Sequence, residues 1–268
     1  MPKRKTNVCE ELLLNKVVLR PDKVHRRGPE SLGRPFEPFT APSAYNSHPI
    51  SGWYFPSDQP RAVALINSSN RGTKADALDH AAMLLACGCS VLLYDYQGFG
   101  DSEGLADVRT LAGDARGVLA WARQRGILTD ATRLLIVGLS LGSLVAVHLA
   151  AGSTPVHALV LDGAVEPFRA LRRSFGALGA VVAEVACSQV PEDLNSKKHI
   201  QAVTCPTLFV HGRGDDISTV EDAEYLASRT KNASLWVVED CGHLDIIAHH
   251  RDQYRLRVEP LLAGSVVR

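Results

Sequence analysis

The chain has 268 residues, and 29 Lys+Arg balance 29 Asp+Glu, so its formal charge is zero. That balance argues against a dedicated nucleic-acid binder, which carries a basic excess to meet phosphate. With 46% apolar and 22% charged residues, the composition excludes a disordered, solvating chain, and the length suffices for one α/β domain with a sizeable core.

Read from the start, Met1-Pro-Lys-Arg-Lys5 is basic, but no apolar run of signal-peptide length follows; Leu12–Leu14 is cut off by Asn15 and Lys16. No stretch approaches the roughly 18 uninterrupted apolar residues of a membrane span. Residues 1–60 read as an irregular lead-in packing on a sheet, with strand-like pieces at Lys16–Leu19 and Ile50–Phe55 and turns at Pro21, Gly28–Pro29, Gly33–Pro35 and Pro42. From residue 61 apolar runs alternate with helical segments: Ala62–Ile66 and Ala75–Ala86, Val91–Tyr94 and Arg109–Arg125, Leu134–Val137 and Leu141–Ala151, then Ala158–Leu161. The alternation resumes with Thr207–Val210, Ser218–Thr230, Leu235–Val238 and a closing amphipathic stretch from Leu244. Continuous Val/Ile/Leu runs predict strands buried on both faces. Repeated βα units therefore predict a doubly wound, mostly parallel α/β sheet spanning 61–268. Residues 164–200 break the rhythm and read as a short helical lid, in which Phe168, Leu171, Phe175, Leu178, Val181 and Val182 stand among Arg169, Arg172 and Arg173. That arginine cluster reads as a solvated face, with attraction of an anionic substrate group as the alternative. The six cysteines (9, 87, 89, 187, 205, 241) show no paired framework, so free thiols in a reducing compartment are expected, by default the cytoplasm.

Gly138-Leu-Ser140-Leu-Gly142 lies directly between a predicted strand and a predicted helix. A strand that turns so sharply into a helix forces its central residue into strained backbone and lifts the Ser140 hydroxyl above the sheet, near the helix's positive end. A serine hydroxyl needs a base to become a nucleophile, and that base needs an orienting acid. Of the ten histidines, His25, His48 and His80 precede the serine, His148 sits on the following helix, and His249 and His250 fall inside the closing helix. His243, in the loop Glu239-Asp-Cys-Gly-His after Leu235–Val238, can hang over the sheet's carboxyl edge, so it is the predicted base. For the acid, Asp215 after Thr207–Val210 is preferred, with Asp216 and Asp162 as competitors.

Asp95-Tyr-Gln-Gly-Phe-Gly-Asp-Ser-Glu-Gly104, the Ser140 elbow, Pro206-Thr-Leu-Phe-Val-His-Gly-Arg-Gly-Asp215 and Gly242-His243 together resemble the α/β-hydrolase superfamily. Within it they are most similar to the small-lid, lysophospholipase-like or serine-aminopeptidase-like branch, over about residues 15–262. The resemblance implies Ser140 as nucleophile, Asp215 as acid and His243 as base. It also implies an oxyanion hole from the backbone N–H groups of Leu141 and Ser69. Members of the family commonly carry His-Gly where this chain has Asn67-Ser68-Ser69, a departure that bears on that hole.

Gly98-Phe-Gly100-Asp-Ser-Glu103-Gly104 fails the dinucleotide fingerprint because position 103 is Glu, and no P-loop, zinc-protease or calcium-loop pattern occurs. No cofactor or metal is therefore expected. The expected activity is cleavage of a carboxylic ester through an acyl-enzyme, on a small, largely uncharged acyl substrate lined by the lid's apolar side chains. A peptidase of the same fold and a non-catalytic binding protein are the alternatives. A monomer without a membrane span is the default.

Overall fold

Residues Ala62–Asn67, Cys89–Tyr94 and Leu134–Leu139 are buried at every position, so each strand must be covered on both faces. The computed structural model describes Asn15 and residues 18–174 and 190–263. In chain order the elements are β1 (Arg20–Pro21), β2 (Glu37–Pro42), β3 (Pro49–Phe55), β4 (Ala62–Asn67), β5 (Arg71–Gly72), α1 (Leu78–Ala86), β6 (Cys89–Tyr94), α2 (Leu111–Gln124), β7 (Leu134–Leu139) and α3 (Gly142–Ala151). They continue with β8 (Ala158–Asp162), α4 (Pro167–Ser174), α5 (Ser196–His199), β9 (Thr207–Gly212), α6 (Val220–Ala227), β10 (Ala233–Val238), α7 (Ile246–His249) and α8 (Arg251–Leu262).

Eight strands form one sheet in the order β10-β9-β8-β7-β4-β6-β3-β2. The six from β10 to β6 are parallel, whereas β3 and β2 join antiparallel. The doubly wound, mostly parallel sheet expected from the apolar runs is present. Alternate residues of β4 face different layers: Val63 and Leu65 pack with α2 and α3, while Ala64 and Ile66 pack with α1 and α8. Among the described residues, no helix is long and apolar enough to cross a membrane.

Three expectations along the chain are revised. Val18, in the piece Lys16–Leu19 expected to be extended, is helical, with Leu19 N–H donating to Asn15 O at 2.8 Å, and the strand is β1; Lys16 and Val17 lie outside the described residues. Strand β2 was not expected because Pro38 and Pro42 interrupt it, but it is the edge of the sheet, where a missing N–H costs no ladder bond. The closing helix is two pieces broken at His250. Cys87, Cys89, Cys205 and Cys241 are free and buried, and burial pushes Cys87 to about 11 and Cys89 to about 12. Cys9 and Cys187 lie outside the described residues.

The glycine-rich segment after β6 wraps a buried ion pair. Lys74 Nζ donates to Asp95 Oδ2 at 2.6 Å and to Asp101 Oδ2 at 3.0 Å, and lies 4.6 Å over the Trp53 ring. Neither the Lys74 nor the Asp95 side chain has any exposed surface. Replacing Lys74 by Met strands the Asp95 carboxylate, and an expected loss of about 3–5 kcal/mol, read from urea unfolding, follows. K74M/D95N, which removes both charges, is expected to recover part of it.

Candidate active site

Ser140 sits at the turn between β7 and α3 with φ of 52°, a left-handed conformation that side chains rarely adopt. Its N–H donates to Asp162 O at 2.9 Å, and its carbonyl accepts from Ser143 N–H at 2.8 Å. The flanking glycines are required by close approach. A Cβ on Gly138 would lie 2.6 Å from Ser143 Cα, and one on Gly142 would lie 2.1 Å from Asn67 O. The second contact presses the elbow against the Asn67-Ser68-Ser69 loop, so Gly142→Ala must push that loop away. For the ester cleavage expected from sequence, G142A is expected to lower turnover by about a hundredfold in an ester-hydrolysis assay, the size of effect that losing one oxyanion donor has in serine hydrolases.

The loops after β9 and β10 are stitched together by Arg213 N–H to Val238 O (2.8 Å) and Gly214 N–H to Cys241 O (2.9 Å). That brings His243 over the sheet edge. Its Nδ1 lies 2.7 Å from Asp215 Oδ2 and its Nε2 2.8 Å from Ser140 Oγ. The carboxylate fixes the proton on Nδ1, which leaves Nε2 free to accept the Ser140 hydroxyl proton. Asp215 is buried. Burial alone would raise its pKa, but the His243 hydrogen bond and charge, the Ser218 N–H and the nearby His211 hold the carboxyl below the ordinary 3.8. Ile217 N–H and Ser218 N–H both donate to Asp215 Oδ1 at 2.9 Å. Buried His211 stays close to this loop, with Nε2 donating to Ser218 O at 2.5 Å.

The structure thus brings Ser140, His243 and Asp215 into one hydrogen-bonded line. The two acid competitors are elsewhere: Asp216 is exposed, and the buried Asp162 carboxylate meets His80 Nε2 at 3.1 Å. Residues not singled out from sequence also shape the site. Ser218 Oγ lies 3.0 Å from Asp215 Oδ2 and 3.1 Å from Gly163 O. Gly163 has φ of 60°, and a Cβ there would lie 2.9 Å from His243 Cε1. The Asp215-Asp-Ile-Ser218 spacing, an Asx-type turn, was the available signal for Ser218; a glycine directly after β8 was the signal for Gly163.

Asn67 does not face the site. Buried, its Nδ2 donates to Val137 O at 3.0 Å and its Oδ1 accepts from Tyr94 at 2.7 Å, tying β4 to its neighbours. Ser69 and Leu141 line the same cavity as Ser140 and His243. Among the described residues neither of their N–H groups donates to another group of the chain. The cavity measures about 620 Å³ and its walls include Val108, Leu141, Leu144, Val165, Val190 and Leu194. Phe175, Leu178, Val181 and Val182, expected to contribute, lie outside the described residues. Arg169 and Arg173 both donate to the buried Asp222 carboxylate, so they are ion-paired, while Arg172 is exposed.

Among the described residues, His25, Asp95 and Asp101 offer ligand atoms within 4.8 Å of one another. The Lys74 ammonium already lies among them, 3.4 Å from His25 Nε2, and supplies the positive charge that a metal ion would bring.

No protein-family model matches the chain. It is 32% identical over 208 residues to an uncharacterized protein of Mycobacterium tuberculosis, an alignment covering 73% of this chain and 68% of that one. It is 29% identical over 185 residues to lysophosphatidylserine lipase ABHD12 of Danio rerio, covering 62% of this chain and 46% of that protein. An esterase of Pyrococcus furiosus superposes with a TM-score of 0.75 at 18% identity, over 93% of this chain and 98% of that one, a likeness of fold. Sheet order, elbow and structural likeness together define the class: the chain has the α/β-hydrolase fold.

Proposed function

We propose that the chain is a serine hydrolase that cleaves carboxylic esters, with Ser140 as nucleophile, His243 as general base and Asp215 as the orienting acid. The observation that carries this is the line from Asp215 Oδ2 through His243 to Ser140 Oγ, with steps of 2.7 and 2.8 Å, opening on a largely apolar cavity. His243 Nε2 takes the Ser140 proton as the oxygen attacks the acyl carbonyl, and Asp215 stabilises the imidazolium. The N–H groups of Leu141 and Ser69 receive the oxyanion, helped by the positive end of α3. The imidazolium then gives its proton to the leaving alcohol, and water, deprotonated by the same base, releases the acid. The described parts of the insertion contribute Val165, Pro167, Ala170, Val190 and Leu194 to the cavity wall, which favours a monoacyl chain over a peptide. A relative named as a lysophosphatidylserine lipase and a structural neighbour named as an esterase support the same reading.

A fluorophosphonate probe tests it. Wild-type protein is expected to be labelled and to hydrolyse short p-nitrophenyl esters, and Ser140→Ala to do neither. Labelling independent of Ser140, with no ester turnover by the wild type, would overturn the proposal.

A further inference from the structure

The cavity that holds Ser140 is apolar along its walls but carries two arginines, Arg20 and Arg71. They come from the two-stranded parallel ribbon of β1 and β5, where Arg20 pairs in register with Arg71. Registered residues on neighbouring strands sit roughly 4.8 Å apart and project from the same face, so the two arginines leave the ribbon on one side, and both line the cavity. The ribbon is held by Arg20 N–H to Asn70 O at 2.8 Å and by Asn70 Nδ2 to Val18 O at 2.7 Å.

Both side chains are exposed, and among the described residues neither guanidinium has a carboxylate or carbonyl partner. Other arginines of the chain are engaged: Arg116 with Asp193, Arg169 and Arg173 with Asp222, Arg213 with Glu239, Arg251 with Asp79. Two guanidiniums without an acidic partner among the described residues, at the margin of an apolar cavity, suit a carboxylate or a phosphate, which each bind a guanidinium through two oxygens. Among the described residues that line this cavity there is no Asp or Glu.

We infer that the substrate is an anionic monoacyl ester, whose acyl chain lies along the apolar wall and whose carboxylate or phosphate docks on Arg20 and Arg71. This rests on the ester-hydrolase reading above and departs from the uncharged substrate expected from net charge. Net charge sums over the whole chain, whereas recognition depends on the few charges lining one cavity.

Matched octanoyl esters of glycerol, glycerate and glycerol 3-phosphate test it, with kcat/KM measured for each on the same preparation so that any inactive fraction cancels in the ratio. Wild type is expected to favour at least one anionic ester over the neutral one by about tenfold or more. Which anion is favoured distinguishes carboxylate from phosphate. In Arg20→Gln/Arg71→Gln that ratio is expected to fall at least about fivefold, and Arg20→Lys/Arg71→Lys, which keeps the charge but loses the fork, to retain part of it. A wild type that prefers the neutral ester, or a ratio that falls less than about threefold in the double Gln variant, overturns the inference.

A binding arm is independent of turnover. Octyl phosphate and octanoate are titrated calorimetrically into Ser140→Ala, with and without the two Gln substitutions. Arginine-dependent binding of either anion, by about tenfold in Kd, upholds anion recognition even if no ester is hydrolysed, in which case only the hydrolase reading fails. Binding of both that is unchanged by the substitutions overturns the inference.

Discussion

Ser140→Ala and His243→Ala are each expected to lower kcat/KM for a short p-nitrophenyl ester by about 10⁴–10⁶-fold, and the double variant to fall no further. The non-additivity is the diagnostic part. In the proposed mechanism the serine oxygen is nucleophilic only while Nε2, 2.8 Å away, can take its proton, so removing either partner removes the same step. The backbone is strained at both ends of this contact: Ser140 and Leu244, which follows His243, have φ of 52° and 62°. Strain of this kind, of order 1–3 kcal/mol per residue, persists only where surrounding contacts overdetermine the backbone. Here those contacts are the Gly138 and Gly142 approaches beneath the elbow and the β9–β10 loop bonds beneath His243. Additive losses, or an S140A variant with a tenth of wild-type turnover, would overturn the shared-step account.

The second large effect concerns the acid. Asp215→Asn is expected to cost about 10⁴-fold in kcat, because an amide neither fixes the proton on His243 Nδ1 nor stabilises the imidazolium. Asp216→Asn is expected to stay within about twofold, since exposed charges are largely screened. Asp162→Asn separates stability from chemistry. Its carboxylate is buried against His80, so the variant is expected to lose about 1–3 kcal/mol of stability while folded protein keeps turning over. Abolished turnover in D162N alone, with D215N active, would reassign the acid.

Much of this was legible because α/β grammar is local. Apolar runs such as Leu134–Val137 bury on both faces wherever they pair, and a glycine-flanked serine between strand and helix has few backbone solutions. The edge strand β2 was hidden because its prolines argue against pairing in the middle of a sheet and are harmless at its rim. The break at His250 was hidden because the amphipathic pattern continues through it.

The sequence by itself determined the strand–helix alternation and the Ser140 elbow, both carried by residues adjacent or nearly adjacent along the chain, and it singled out Ser140, Asp215 and His243 as candidates. Which carboxylate meets His243 was left to the tertiary structure. Asp162 and Asp215 both follow strands of the same sheet, and only the way their loops turn sends one onto His80 and the other onto His243. The Arg20–Arg71 pair was likewise decided in three dimensions. Fifty-one positions separate the two residues, and nothing in either segment announces that two-residue strands will align them beside the cavity. Local pattern is set by backbone sterics and burial, whereas charges far apart in sequence become neighbours only through the packing of loops.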